Sequence, residues 1–212
     1  TKTAGPLNIY YTPTNKLNKV LYATGDNNSE RKNVNFNLNY RFAVPKGKEL
    51  NLDADYGFFN IRGNKFQPND YYDAVTNLLL YSNVYRMISP TDIKIYSFKT
   101  DYEQDFMKGR LGIGGKIGYV STDNKFNRYN VFGGTDVLDK DRSNNFNYTE
   151  NINAAYANYN RSYTGWVMQL GVRGENTVSK GQSTGLRWNA VTSKYDNYDS
   201  SVNKNYFDLF PS

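Results

Sequence analysis

An all-β chain of antiparallel strands, folded as an up-and-down transmembrane β-barrel, is predicted by three observations. The run Asn33–Phe42 alternates almost without fault, with Val34, Phe36, Leu38, Tyr40 and Phe42 on one side and Asn33, Asn35, Asn37, Asn39 and Arg41 on the other. That alternation recurs along the chain. Short connections take turns with long polar ones. Successive side chains of a strand point to opposite faces, so a period of two gives one apolar and one wet surface. About ten residues suffice to cross a bilayer at a tilt. The chain is expected to supply about seven or eight strands as a single segment, residues 1–212, of a larger barrel.

The elements follow in order. A weaker pair of strands is expected around Leu7–Thr12 and Leu17–Thr24. After Asn33–Phe42, Leu50, Leu52, Ala54, Tyr56 and Phe58 alternate with Asn51, Asp53, Asp55 and Gly57. Tyr96, Phe98, Thr100 and Tyr102 alternate with Ser97, Lys99, Asp101 and Glu103. Leu111, Ile113, Gly115, Ile117 and Tyr119 alternate with Arg110, Gly112, Gly114 and Lys116. Phe146, Tyr148, Ile152, Ala154 and Tyr156 share a face that Glu150 interrupts, opposite Asn147, Asn151 and Asn153. Trp166, Met168, Leu170 and Val172 alternate with Gln169, Gly171, Arg173 and Glu175. Short turns are expected at Pro13–Lys16, Val44–Lys48, Asp105–Gly109 and Asn160–Thr164. Long loops are expected at Gly25–Lys32, Arg62–Pro90, Thr122–Asn144 and Ser179–Asn205, with one helical turn within Tyr71–Tyr81. Outer-membrane barrels place short turns on the periplasmic side and long loops outside, which orients the chain.

Composition narrows the chemistry. Of 212 residues, 20 are Tyr and 12 are Phe, and the net charge is +6. The mean hydropathy is negative, as suits a barrel whose inner face and loops are polar. No stretch is long and apolar enough for a membrane helix. Cys and His are both absent, which removes disulfides, thiolate sites, Cys nucleophiles and the commonest general base. Basic residues are interspersed with acidic ones, so nucleic acid is not an expected partner. No enzymatic activity is expected.

Candidate sites divide by face. Val34, Phe36, Leu38, Tyr40, Phe42, Trp166, Met168 and Leu170 are expected to face lipid, with aromatics near strand ends forming interfacial girdles. Asp53, Asp55, Lys99, Asp101, Gln169, Arg173 and Glu175 are expected to face the lumen as a cross-strand polar network. Asp53 and Asp55 lie two apart on one face and read as lumenal carboxylates rather than a catalytic pair. Tyr71, Tyr72, Tyr81 and Tyr85, in an expected outer loop, are candidates for solute contact. Asp139, Asp141, Ser143, Asn145, Asn147 and Glu150 place oxygen donors at positions 1, 3, 5, 7, 9 and 12, the spacing of a calcium loop, although Asn144 stands where such a loop has Gly. Calcium is thus the one metal considered, and no cofactor is expected otherwise. The glycine-rich Gly109–Gly118 lacks the spacing of a phosphate-binding fingerprint.

Ile95–Tyr102 followed by a short turn, Glu150–Ala157, Gln169–Thr177 and Tyr206–Ser212 resemble the barrel of TonB-dependent outer-membrane receptors, closest in type to the outer membrane protein beta-barrel family of Bacteroidetes. The resemblance runs from about Asn33 to the end. It implies a large single-chain barrel of about 22 strands, plugged by an N-terminal globular domain and energised by an inner-membrane coupling complex. Neither the plug nor its coupling box is present in these residues. The expected role is therefore wall and outer loops of a solute-uptake barrel in the bacterial outer membrane. Its expected partners are membrane lipid, the missing strands and plug of the same parent chain, and an unidentified solute. Two alternatives stand beside it: a secreted or surface β-sandwich binding glycans through aromatic-rich loops, and a small complete outer-membrane barrel serving as adhesin or anchor.

Overall fold

The computed structural model describes residues 2–11, 13, 16–45 and 47–212. Among them, nine strands form one antiparallel sheet: β1 (Lys2–Tyr11), β2 (Leu17–Val44), β3 (Lys48–Asp73), β4 (Leu79–Phe106), β5 (Gly109–Phe132), β6 (Thr135–Leu138), β7 (Asn144–Tyr163), β8 (Trp166–Asn189) and β9 (Lys194–Pro211). A single 3-10 turn, Lys140–Arg142, precedes β7. The sheet order is β1-β2-β3-β4-β5-β7-β8-β9, with the short β6 folded back on β5. Each strand on that path pairs antiparallel with the next along it, the up-and-down meander that the alternation predicts. The sheet is open, with β1 and β9 as its edges, and no second sheet covers it among the described residues.

The strands are longer than the sequence suggests. Leu17–Thr24, Gly25–Lys32 and Asn33–Phe42 all lie within one strand of 28 residues, about 90 Å along its axis at 3.3 Å per residue. The other expected loops are also mostly strand: β3 and β4 run through Arg62–Pro90, β5 and β6 take up much of Thr122–Asn144, and β8 and β9 take up most of Ser179–Asn205. The helical turn expected within Tyr71–Tyr81 is instead a hairpin connection over residues 74–78. The reason is physical. Backbone ladders need no apolar side chains, and where both faces of a sheet are wet there is no hydrophobic alternation to read.

The two ends differ. At one end, tight turns join β2 to β3, β4 to β5 and β7 to β8. Met107 and Lys108 turn with φ of 47° and 60°, the left-handed pair of a primed hairpin turn, which matches the twist of the flanking strands. Pro13 and Lys16 of the expected Pro13–Lys16 turn lie at the opposite, far end, because β2 runs unbroken from Leu17 to Val44. Thr14 and Asn15 of that turn, Lys46 of the Val44–Lys48 turn, and Thr12 lie outside the described residues.

Candidate functional site

Register decides which residues share a face. Phe36 pairs with Tyr56, Leu38 with Ala54 and Tyr40 with Leu52. Tyr56 pairs with Tyr96 and Ala54 with Phe98. The series continues through Ile117 and Ile113 of β5, Ala157 and Tyr159 of β7, and Val172, Leu170, Met168 and Trp166 of β8. All eight residues expected to face lipid therefore lie on one side of the sheet. Phe36 is 66% and Leu38 72% exposed, so nothing among the described residues covers them. The rings of Phe36, Tyr56, Tyr96 and Tyr119 form a row across four strands, with centroids 6.4, 5.1 and 6.3 Å apart. Toward the short turns, Tyr163 stacks on Trp166 at 4.2 Å. Beyond Phe58 the same face turns polar, where Arg62 pairs with Asp92 at 3.0 Å. The apolar belt is thus about nine residues tall on β3, bounded by aromatics as interfacial side chains are.

The other face carries the ladder of polar groups. Asn37 donates to Asp55 at 2.6 Å and Asn39 to Asp53 at 2.5 Å. Lys99 pairs with Asp101 at 2.6 Å, and Arg173 with Glu175 at 2.6 Å. Gln169 lies on the same face by its place in β8. All seven expected lumenal residues are therefore on one side, opposite the belt. The structure adds members the sequence did not single out. Glu49 is shared by Arg41 at 2.9 Å and Arg110 at 3.6 Å, and Arg110 also reaches Glu103 at 2.5 Å. This chain of alternating charges spans β2 to β5 beside the short turns. Tyr156 lies across Gly114, whose added Cβ would fall 2.5 Å from the ring. The Tyr156 hydroxyl donates to Asp101 at 2.5 Å, and the Arg173 guanidinium lies 5.7 Å from the Tyr156 ring centre. Only Gly at 114 lets that ring bridge the strands and hold the carboxylate.

A second group was also missed. Phe59, Ile61, Ile93, Ile95, Val120 and Ile152 form a half-buried apolar band on the polar face, just beyond the charged ladder. Its signal in the sequence is a change of parity at Phe58-Phe59, Ile95-Tyr96 and Tyr119-Val120, where apolar residues switch faces. In β7 the switch covers most of the strand. Phe146, Tyr148, Ile152, Ala154 and Tyr156 do share a face, but it is the polar one, and Asn147, Asn151 and Asn153 look outward.

The aromatic candidates of the expected loop are strand residues. Tyr71 and Tyr81 pair across β3 and β4 and stack at 4.6 Å on the polar face. The Lys19 ammonium sits 5.1 and 5.3 Å from their ring centres and donates to the Tyr81 hydroxyl at 2.7 Å, a bond that raises the lysine above its usual pKa. Tyr85, on the same face, stacks with Arg128 at 4.0 Å. Tyr72 is the exception: it meets Tyr22 edge-on at 5.4 Å on the outward face, because it is one residue out of phase with Tyr71.

The calcium spacing does not become a calcium loop. The Asp139 carboxylate is held by Arg128 at 3.0 Å and Arg142 at 3.4 Å. Asp141 accepts from the Trp188 backbone N–H at 2.6 Å, and the Ser143 hydroxyl donates to the Asp139 carbonyl at 2.7 Å. Asn145, Asn147 and Glu150 belong to β7, where extension strings them out and sends Glu150 to the opposite face from the two amides. No acidic cluster able to hold a metal occurs among the described residues.

The family model described as "Outer membrane protein beta-barrel family" matches residues 43–212. Among solved structures, the ferric yersiniabactin uptake receptor FyuA from Yersinia pestis is similar at a TM-score of 0.40 and 10% identity, covering 98% of this chain and 40% of that one. The ferric citrate transporter FecA in its unliganded form is similar at 0.35 and 12% identity, covering 96% and 38%. The chain thus spans about two fifths of the length of these structures. No curated protein matches the sequence.

Proposed function

Since the chain belongs to the outer membrane protein beta-barrel family, we propose that it builds part of the wall and outer rim of a solute-uptake barrel of the TonB-dependent receptor kind. One observation carries this reading. Apolar residues face outward over the height of one bilayer crossing and give way to polar ones beyond it. The belt of Phe36, Leu38 and Trp166 then meets lipid, and the ladder of Asp53, Asp55, Lys99, Asp101 and Arg173 lines the lumen. The short turns face the periplasm and the strand extensions stand outside the cell.

In that arrangement the lumenal charges work in pairs. A polar solute moving along the wall meets amides and ion pairs that can exchange partners, rather than a bare charge that would trap it. Tyr71, Tyr81 and Tyr85, on the lumenal side of the outer extensions, are placed to meet solute first. The plug of the parent chain, moved by an energy-coupling complex, would cover the apolar band of Phe59, Ile93 and Ile95 and open the path. The role is transport, with no covalent step. A glycan-binding sandwich would need a second sheet packed over Val34, Phe36 and Leu38, whereas all wall strands here lie in one sheet.

The test is a comparison of cells with and without the parent gene. Depletion of metabolites and chelated metals from the medium is followed by mass spectrometry, before and after a protonophore collapses the inner-membrane gradient. The expected result is a solute whose uptake needs both the gene and the gradient. Gene-dependent uptake that persists without the gradient would mark a passive pore and overturn the proposal, as would the absence of any gene-dependent solute.

A further inference from the structure

We propose that the far-end cavity on the polar face of β5, β7 and β8 captures a small organic anion, its carboxylate or phosphate held between two guanidinium groups. The uptake role, on which this assignment rests, makes the cavity a first stop for such a solute outside the cell. Register lays Phe126, Asn144, Gly185 and Tyr198 side by side across β5, β7, β8 and β9. Two rings thus stand at the ends of the row, about 14 Å apart at roughly 4.8 Å per strand, with an amide and a glycine between them. Ser183 flanks the row on the belt side, and Arg142 and Arg187 flank it on the far side. The cavity they line is about 380 Å³, within the range of small-molecule sites.

The bulge that carries Arg142 is held in place by its own acids. Between the Tyr129–Leu138 and Phe126–Asn144 pairs, the returning chain has five residues, 139–143, where β5 has two. The surplus is pinned on both sides. Asp141 accepts from the Trp188 N–H of β8 at 2.6 Å, and Asp139 is held by Arg128 of β5 at 3.0 Å. Gly185 lets the bulge come this close, since a Cβ there would lie 3.0 Å from the Ser143 carbonyl oxygen. Arg142 reaches only the Asp139 oxygen that Arg128 already holds, at 3.4 Å. Most of its N–H donors therefore stay unspent.

Arg187 shows the same surplus more clearly. Asp196 lies directly across from it in the β8–β9 register, yet the Asp196 carboxylate takes the Asn189 amide instead. The Arg187 guanidinium lies over the Tyr198 ring at 4.8 Å and has no ion pair among the described residues. The ladder arginines Arg41, Arg110 and Arg173, by contrast, each hold a carboxylate. The lining thus sets two guanidinium groups against the single Asp141 carboxylate. Asn144 donates to the Ser183 hydroxyl oxygen at 3.1 Å, which leaves the Ser183 proton for an incoming oxygen. A planar guanidinium matches two oxygens of a carboxylate or phosphate, and the flanking rings accept the organic body.

The experiment is isothermal titration calorimetry of the full-length protein in detergent, with phenyl phosphate, benzoate and neutral phenol as probes. Phenyl phosphate or benzoate should bind at one site per chain, and phenol at least about tenfold more weakly. The tighter of the two anions tells a phosphate site from a carboxylate site. Arg187→Gln and Arg142→Gln should each weaken that anion about tenfold to a hundredfold, the range for a charged hydrogen bond. Lys125→Gln removes the same charge from the outward face of β5 and should leave binding unchanged. Heat-modifiable migration confirms the fold of each variant. Binding is read without uptake, so a passive pore can still hold the probes and a driven transporter can fail to. Anions bound no more tightly than phenol, wild-type affinity in folded Arg187→Gln and Arg142→Gln, or an equal loss in Lys125→Gln would each overturn the proposal.

Discussion

The belt half and the far half of the same strands solve different problems. In the belt, β2 and β3 put Leu38, Ala54, Phe36 and Tyr56 on one face and Asn37, Asp55, Asn39 and Asp53 on the other. In the far half, beyond the apolar band of Phe59, Ile61, Ile93 and Ile95, both faces carry polar pairs. Arg62–Asp92 and Arg86–Asp136 lie on the outward face, while Arg128–Asp139 and the Lys19–Tyr81 bond lie on the inner one. The belt is specified by the solvent on each side of the wall. The far half has water on both sides and is held by its backbone ladder and by cross-strand polar pairs, each contributing about 1 kcal/mol or less. One strand can therefore be continuous in structure and change its governing physics midway.

The largest effect should come from placing a charge in the belt. Leu38→Arg is expected to destabilise the full-length barrel by about 2–4 kcal/mol, whereas Asn64→Arg, on the same face of the far half, should stay within about 0.5 kcal/mol. Urea unfolding in lipid vesicles measures both, and equal losses would erase the distinction between the halves.

A smaller, local effect is expected from Arg128→Ala. Asp139 and Arg128 have side chains only 10% and 14% exposed, and removing the cation leaves a nearly buried carboxylate with the exposed Arg142 as its remaining partner. About 2 kcal/mol of local stability should be lost, read as faster amide exchange in β6 and the following turn. Exchange in β2 at Asn35–Asn39 should not change. Spread of the effect into the belt would mean the halves are coupled.

The smallest effect concerns pH at the β3–β4 connection. The Asp73 carboxylate accepts from the Thr76 N–H at 2.7 Å, the Val75 N–H at 3.0 Å and the Thr76 hydroxyl at 2.9 Å, and these bonds hold it below the usual carboxylate range. A lowered folded pKa means the stabilisation is fully present above the ordinary aspartate value of about 3.9 and is lost as pH falls through the folded value. Protection of the Val75 and Thr76 amides, measured against the intrinsic exchange rate at each pH, should therefore fall in acid below that range, and in Asp73→Ala it should be low at every pH. Constant protection in the wild type would show that the cap does not hold the turn.

What was legible in the sequence follows from the same division. Both residue sets of the belt, Val34 to Phe42 with Trp166 to Leu170, and Asp53 to Glu175, could be read because two solvents impose a period of two. The far extensions could not, since Gly25–Lys32 and Arg62–Pro90 face water on both sides and look like loops while pairing as strands. The position of Tyr72 opposite Tyr71 was lost with the strand itself.

The sequence by itself determined the strand as the unit, the height of the belt and the two faces of β2, β3, β4, β5 and β8. These are local consequences of side-chain period against solvent. Tertiary structure alone decided which rows align. It brought Arg41, Glu49, Arg110 and Glu103 into one charge chain, laid Tyr156 over Gly114, gathered Arg142, Ser183 and Arg187 around one cavity, and turned the apolar side of β7 inward. Register is set by pairing between strands tens of residues apart, and a shift of one residue would exchange every face. No single strand carries that information.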